Sequence, residues 1–128
     1  MITNEDKQII QVGNVCPTKT RANPNQGRVY DPSGISPSLN CFGGGNREPH
    51  IIEENFRVRK YTPLESFRLM GFTDEDFQNV RKALNDVFYN GRDKSGSQLY
   101  KLAGNSISVP LLEYLFCQIF DEDDNIWI

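Results

Sequence analysis

Three cysteines, one histidine and a scatter of arginines are the residues of this chain whose types could do chemistry. Cys16, Cys41 and Cys117 are odd in number and far apart, and no C-x-x-C spacing occurs. Zinc takes closely grouped nitrogen and sulfur donors, and His50 has no cysteine or second histidine near it in sequence. Neither a metal site nor a disulfide framework is expected, and the thiols read as reduced. A thiol becomes a nucleophile when a base or a positive field lowers its pKa; no acid–base partner stands beside Cys16 or Cys41 in sequence, so both read as buried or incidental. No G-x-G-x-x-G phosphate loop occurs.

Charge separates along the chain. The net charge is −3, but residues 1–60 hold eight basic and six acidic side chains, and residues 61–128 hold six and eleven. A strongly basic nucleic-acid footprint is missing overall, while the front half remains compatible with a phosphate contact surface.

The elements that must position these residues are those of one domain of 128 residues, 38% hydrophobic and 11% aromatic, enough to bury a core. No apolar run reaches the roughly 18 residues that cross a bilayer, and no basic-then-apolar leader follows Met1, so a soluble cytoplasmic chain is expected. The front half reads as short strands and turns. Residues 9–15 form a candidate strand interrupted at Gly13-Asn14, residues 16–27 a polar loop, and Arg28-Val29-Tyr30 a short strand. Asp31-Pro32-Ser33-Gly34 has the composition of a tight turn, residues 38–42 are extended, and His50-Ile51-Ile52 follows the glycines at 43–45.

The back half reads as helical. Thr62-Pro63-Leu64-Glu65 is a capping box with proline at the first helical position, and Gly71 should end that helix. Thr73 with Asp76 opens a second helix, in which Phe77, Val80, Leu84, Val87 and Phe88 follow helical spacing up to Gly91. Residues 98–103 form one or two helical turns closed by Gly104, and Ser108 opens a last helix to about Phe120, before an acidic tail at 121–124. The expected fold is therefore α+β, with a β/loop part over 1–58 and a helical part over 59–128. Between Val109 and Phe120 only Glu113 and Gln118 are strongly polar, so the last helix is apolar nearly all round. Either it is the central core helix, or it dimerises, or it packs on a larger partner domain.

Three segments in order resemble the carboxyl-terminal part of a cytosine-5 DNA methyltransferase. Gln26-Gly27-Arg28-Val29-Tyr30-Asp31-Pro32-Ser33-Gly34-Ile35-Ser36-Pro37-Ser38-Leu39, followed by Gly43-Gly44-Gly45, resembles the end of that family's target recognition domain. Arg59-Lys60-Tyr61-Thr62-Pro63-Leu64-Glu65-Ser66-Phe67-Arg68-Leu69-Met70-Gly71-Phe72 resembles its ninth motif, and Gln98-Leu99-Tyr100-Lys101-Leu102-Ala103-Gly104-Asn105-Ser106-Ile107-Ser108-Val109-Pro110 its tenth. The resemblance covers roughly residues 9–120.

The resemblance implies double-stranded DNA and S-adenosylmethionine as ligands. It makes Arg28 the best candidate for a base-edge or phosphate contact, arginine on guanine being the commonest specific major-groove pair; a solvated strand arginine is the plainer alternative. Gln26 sits at the loop tip and would read a base edge, Ser38 would contact the backbone, and Lys19 and Arg21 would meet phosphates nonspecifically. Phe42 would lie against the DNA or the loop, or serve as a core aromatic. Gly43, Gly44 and Gly45 would let backbone approach the duplex closely, or simply form a flexible loop. Gly104-Asn105-Ser106 resembles the segment that closes over the methionine end of the cofactor, though a helix stop and cap would use the same residues. Thr62, Pro63 and Glu65 are better explained by capping than by catalysis, and Leu64 departs from the family's frequent arginine.

What the family needs and this sequence lacks is equally informative. Methylating a ring carbon takes a thiolate adduct on a base flipped out of the duplex, and the family's nucleophile sits in a Pro-Cys dipeptide. Here Cys16-Pro17 is the reverse order, and Glu54-Asn55-Phe56 only approaches the family's Glu-Asn-Val and falls after the recognition segment. The resemblance thus implies a fragment or split subunit of a methyltransferase, inactive alone, whose last helix returns to a missing catalytic domain or to a second copy of itself. A noncatalytic DNA-binding module and a protein-interaction domain using the last helix are the alternatives.

Overall fold

The computed structural model describes residues 8–39 and 47–120. Among these residues the architecture is α+β, with a four-stranded mixed sheet in the front half and four helices in the back half. The strands are β1 (Gln11–Asn14), β2 (Arg28–Tyr30), β3 (His50–Ile52) and β4 (Val58–Lys60), side by side in that order. β1 runs antiparallel to β2, β2 parallel to β3, and β3 antiparallel to β4. The interruption expected at Gly13-Asn14 is a bulge: Gln11 pairs with Tyr30 but Gly13 with Val29, so Val12 is the extra residue.

The tight turn at 31–34 forms as its composition predicts. The Gly34 N–H donates to the Asp31 carbonyl at 3.2 Å. The Asp31 carboxylate accepts the Ser33 N–H at 2.8 Å and its hydroxyl at 2.6 Å. Ser38 and Leu39 join no strand. The remainder of the expected extended piece, with Cys41, Phe42 and Gly43, Gly44 and Gly45, lies outside the described residues, as does the acidic tail.

The helices are α1 (Pro63–Leu69), α2 (Asp74–Tyr89), α3 (Gly96–Asn105) and α4 (Val109–Ile119). Both expected capping boxes are closed. Thr62 Oγ1 accepts the Glu65 N–H at 3.2 Å while the Glu65 carboxylate accepts the Thr62 N–H at 2.7 Å. Thr73 Oγ1 accepts the Asp76 N–H at 3.1 Å and Asp76 returns the bond at 2.9 Å. Gly71, at φ +88°, turns the chain out of α1; Asn90 and Gly91, both at positive φ, end α2. Gly104 does not close α3 as expected. It sits within the last turn, and the helix is capped by Ser106. Glycine costs a helix about 1 kcal/mol, which the burial of its neighbours Leu99 and Ala103 offsets.

The core sits between α1, α2 and α3. Phe67, Phe77, Leu99 and Ala103 are buried, with Leu64, Phe72, Val80 and Leu84 packed against them. The Phe67 ring meets Phe77 edge-on at 5.2 Å between centroids. On the sheet side Val29, Tyr30, Ile51 and Tyr61 are buried, and the Tyr100 hydroxyl donates to the Tyr61 carbonyl, tying α3 to the chain leaving β4.

Candidate functional site

β2 begins where a long polar loop ends, and the local chemistry determines how. Gly27 has φ +69°, and a Cβ there would stand 2.9 Å from Cys16 Cβ, Sγ and backbone N. The Val15 N–H donates to the Gly27 carbonyl at 2.8 Å, so residues 16–26 form a loop with closed ends. Asn23 Oδ1 accepts from Gln11 Nε2 at 2.7 Å and Asn14 Nδ2 at 3.1 Å, while Asn14 Nδ2 also donates to the Pro24 carbonyl at 2.9 Å. These amides stitch the loop to β1.

Lys19, Arg21 and Gln26 lie along this loop, and Arg28 follows at its exit. Lys19, Arg21 and Gln26 are exposed, and Arg28 is half-buried at the start of β2. The Arg28 Nε is shut off from solvent and has no hydrogen-bond partner. A buried guanidinium N–H without an acceptor is costly, and an acceptor supplied from outside would relieve it. Ser38 is exposed beyond the 31–34 turn. Cations and amides of this kind suit phosphate oxygens and base edges.

Beside β2, His50 is buried in β3, paired in register with Val29 and Lys60. Burial, seconded by Lys60, pushes its imidazole below the ordinary histidine pKa, against the opposing effect of Glu48. His50 is thus a neutral structural residue.

The sheet is joined to the helices by Arg59 of β4. Its Nη1 and Nη2 donate to the two Glu65 carboxylate oxygens at 2.9 and 2.8 Å, and its Nε donates to Glu53 at 2.6 Å. The Arg59 hydrogen bonds hold the Glu65 carboxyl down at about 2, helped by Thr62 and opposed by burial. Glu65 therefore caps α1 and anchors it to the sheet at once. Leu64, which departs from the family's arginine, packs on the helical core. Arg59 carries polar contact between the sheet and α1, a role that sequence spacing did not reveal, because Glu53, Arg59 and Glu65 belong to a turn, a strand and a helix.

In the helical part, Gly104 and Asn105 end α3, with Asn105 exposed. The Ser106 hydroxyl donates to the Ala103 carbonyl at 2.7 Å. Ser106 also borders a cleft of about 360 Å³ lined by Phe67, Phe72, Asp76, Val80 and Leu102. An amide, a hydroxyl and a glycine backbone can offer hydrogen bonds to a polar ligand. Immediately after this turn, α4 has no buried residue. Leu111, Tyr114, Leu115, Phe116 and Ile119 are all exposed, so the helix is not the central core helix.

The remaining reactive groups do not assemble. Cys117 lies exposed on α4, and Glu54-Asn55-Phe56 forms the turn between β3 and β4. Among the described residues no group of three or more histidine, cysteine or acidic side chains is placed to hold a metal. Nor, among them, is any helix long and apolar enough to cross a membrane.

Comparison with known proteins identifies the family. The family model for C-5 cytosine-specific DNA methylase matches residues 3–121. The orphan methyltransferase M.SPBetaI of Bacillus phage SPbeta is 32% identical over 138 aligned positions, covering 72% of this chain and 29% of the phage protein. The putative type II methyltransferase M.BsuMIIP of Bacillus subtilis (strain 168) matches with the same figures. The type II methyltransferase M2.ScrFI of Lactococcus lactis subsp. cremoris is 37% identical over 65 positions, covering 51% of this chain and 15% of that protein. The chain spans less than a third of the length of the curated relatives it matches. The chain belongs to the C-5 cytosine-specific DNA methylase family.

Proposed function

We propose that this chain provides the duplex-recognition surface and one wall of the S-adenosylmethionine pocket of a cytosine-5 DNA methyltransferase, and is inactive alone. The observation that carries the proposal is α4. Its apolar side chains are exposed directly after the Gly104-Asn105-Ser106 turn, where a covering partner would also complete the cofactor site. In the family that partner is the catalytic domain with the Pro-Cys nucleophile, a dipeptide this sequence does not contain. Two parts divide the work: residues 1–58 recognise DNA and residues 59–128 carry the ninth and tenth motifs.

Within that scheme Arg28 takes the base-edge or phosphate contact, its unpartnered Nε supporting the assignment. Gln26 reads a base edge, Ser38 meets the backbone, and Lys19 and Arg21 add phosphate contacts that vanish with salt. Phe42, Gly43, Gly44 and Gly45 complete the duplex contact. Asn105 and Ser106 hold the amino-acid end of the cofactor, which when bound supplies the methyl group. Lacking a partner, the α4 face pairs with a second copy of the chain.

The test is complementation. The chain is mixed with a separately produced amino-terminal portion of M.SPBetaI, and transfer of labelled methyl groups to duplex DNA is measured. Transfer by the mixture and by neither part alone supports the proposal; no complex and no transfer overturns it.

A further inference from the structure

The end of α1 and the start of α4 touch at a single seat. Gly71, at φ +88°, carries no side chain, and a Cβ built on it would stand 2.9 Å from Pro110 Cγ, closer still to Pro110 Cδ, and 3.3 Å from Val109 Cβ. Beside it the Val109 N–H donates to the Met70 carbonyl at 3.0 Å, so the first residue of α4 is hydrogen-bonded to the cap of α1. The Gly104-Asn105-Ser106 turn lies between two elements referenced to α1. Upstream, Leu99 and Ala103 of α3 pack against Phe67; downstream, Val109 and Pro110 rest on Met70 and Gly71.

Conformation alone does not account for glycine here. Gly91 also has positive φ, yet a Cβ added there meets nothing within 4 Å. At Gly71 the second constraint is contact, and the Pro110 ring and the Val109 Cβ cannot swing aside as a flexible side-chain end can.

We propose that Gly71 is a positioning residue for the cofactor segment. Its missing side chain lets Pro110 seat on the end of α1, and that seat determines where Asn105 and Ser106 stand. This rests on the cofactor role given to that segment above. Substitution displaces the start of α4 and carries the turn with it, while the recognition loop on β1 and β2 is untouched.

Two readouts separate the seat from the cofactor role. The first is amide hydrogen exchange at Val109 in the chain alone. Gly71→Ala should raise exchange there about tenfold, as overpacking of a tight contact implies. Gly91→Ala, which pays the same backbone strain without a contact, should leave it unchanged. Adding Pro110→Ala to Gly71→Ala should restore most of the protection. Equal protection in Gly71→Ala and wild type overturns the seat, whatever the chain binds. The second readout is S-adenosylmethionine affinity in the complemented complex. Gly71→Ala should weaken it about tenfold on the same grounds, leave duplex affinity within about twofold, and recover with Pro110→Ala. If wild type binds no S-adenosylmethionine, the cofactor reading fails and the inference with it. If wild type binds and Gly71→Ala binds equally well, the positioning role alone is overturned.

Discussion

Arg59 and Glu65 form a two-pronged ion pair across the joint between sheet and helices, Nη1 to Oε2 at 2.9 Å and Nη2 to Oε1 at 2.8 Å. The same carboxylate accepts the Thr62 N–H at 2.7 Å, so one side chain starts α1 and fixes its angle to β4.

Acid should release this joint. The Glu65 carboxyl sits at about 2 in the folded chain against 4.5 when unperturbed. Its folded value is lowered, so its contribution is complete above about pH 4.5 and disappears as pH falls through about 2. With both partners about one-third exposed, solvent screening limits the contribution to about 1 kcal/mol. Urea titrations at pH 7 and pH 3 should show wild type losing more stability on acidification than Glu65→Gln. Equal losses would show the pair to be energetically idle. His50, held below 6.5 by burial, adds a loss of its own as pH falls beneath 6.5, common to both proteins.

Three of the four helix-start hydroxyls should respond differently to removal. Thr62 and Thr73 each accept a backbone N–H, so Thr62→Ala and Thr73→Ala should each cost about 1 kcal/mol in urea denaturation. Ser95 precedes α3 but makes no side-chain cap bond, and its hydroxyl is fully buried without a partner. Ser95→Ala should be neutral or stabilising. A loss at Ser95 as large as at Thr62 would contradict the assignment.

Phe56 occupies a glycine's place. It turns the β3–β4 hairpin at φ +57° with its side chain 85% exposed, so it pays left-handed strain with little packing in return. Phe56→Gly should raise the thermal midpoint, with a gain of up to about 1 kcal/mol after glycine's entropy cost. A lowered midpoint would mean the ring packs in solution.

Duplex binding should follow the front-half cations. Under the proposed function, Arg28→Ala should weaken binding by about 1–3 kcal/mol, and Lys19→Ala and Arg21→Ala should each flatten the salt dependence by about one phosphate contact. Fluorescence anisotropy over a salt series distinguishes the two behaviours, and an Arg28→Ala chain that binds like wild type refutes the assignment.

The isolated chain should self-associate through α4. Replacing Leu115 and Ile119 together by lysine puts two charges on the exposed apolar face and should shift sedimentation towards the monomer. A wild-type chain that stays monomeric at high concentration would argue against pairing.

Local chemistry alone determined much of this protein. The capping boxes at Thr62 and Thr73, the Asp31–Gly34 turn, the stops at Gly71 and Gly91 and the short strand at 28–30 were all legible, because each depends on groups a few residues apart. So was the all-round apolar character of α4, which shows in residue order alone, whereas its exposure came only with the fold. The sequence motifs likewise named Gly104, Asn105 and Ser106, but not their setting. Tertiary structure decided that Gly104 stays helical, because buried Leu99 and Ala103 carry its turn. It also decided that Arg59 clamps Glu65 and Glu53, and that Gly71 leaves room for Pro110. The Gly71 and Pro110 positions are far apart along the chain, and no periodicity links them. Their pairing follows from the way the core around Phe67 packs α1 against α3, a long-range arrangement that local propensity does not encode.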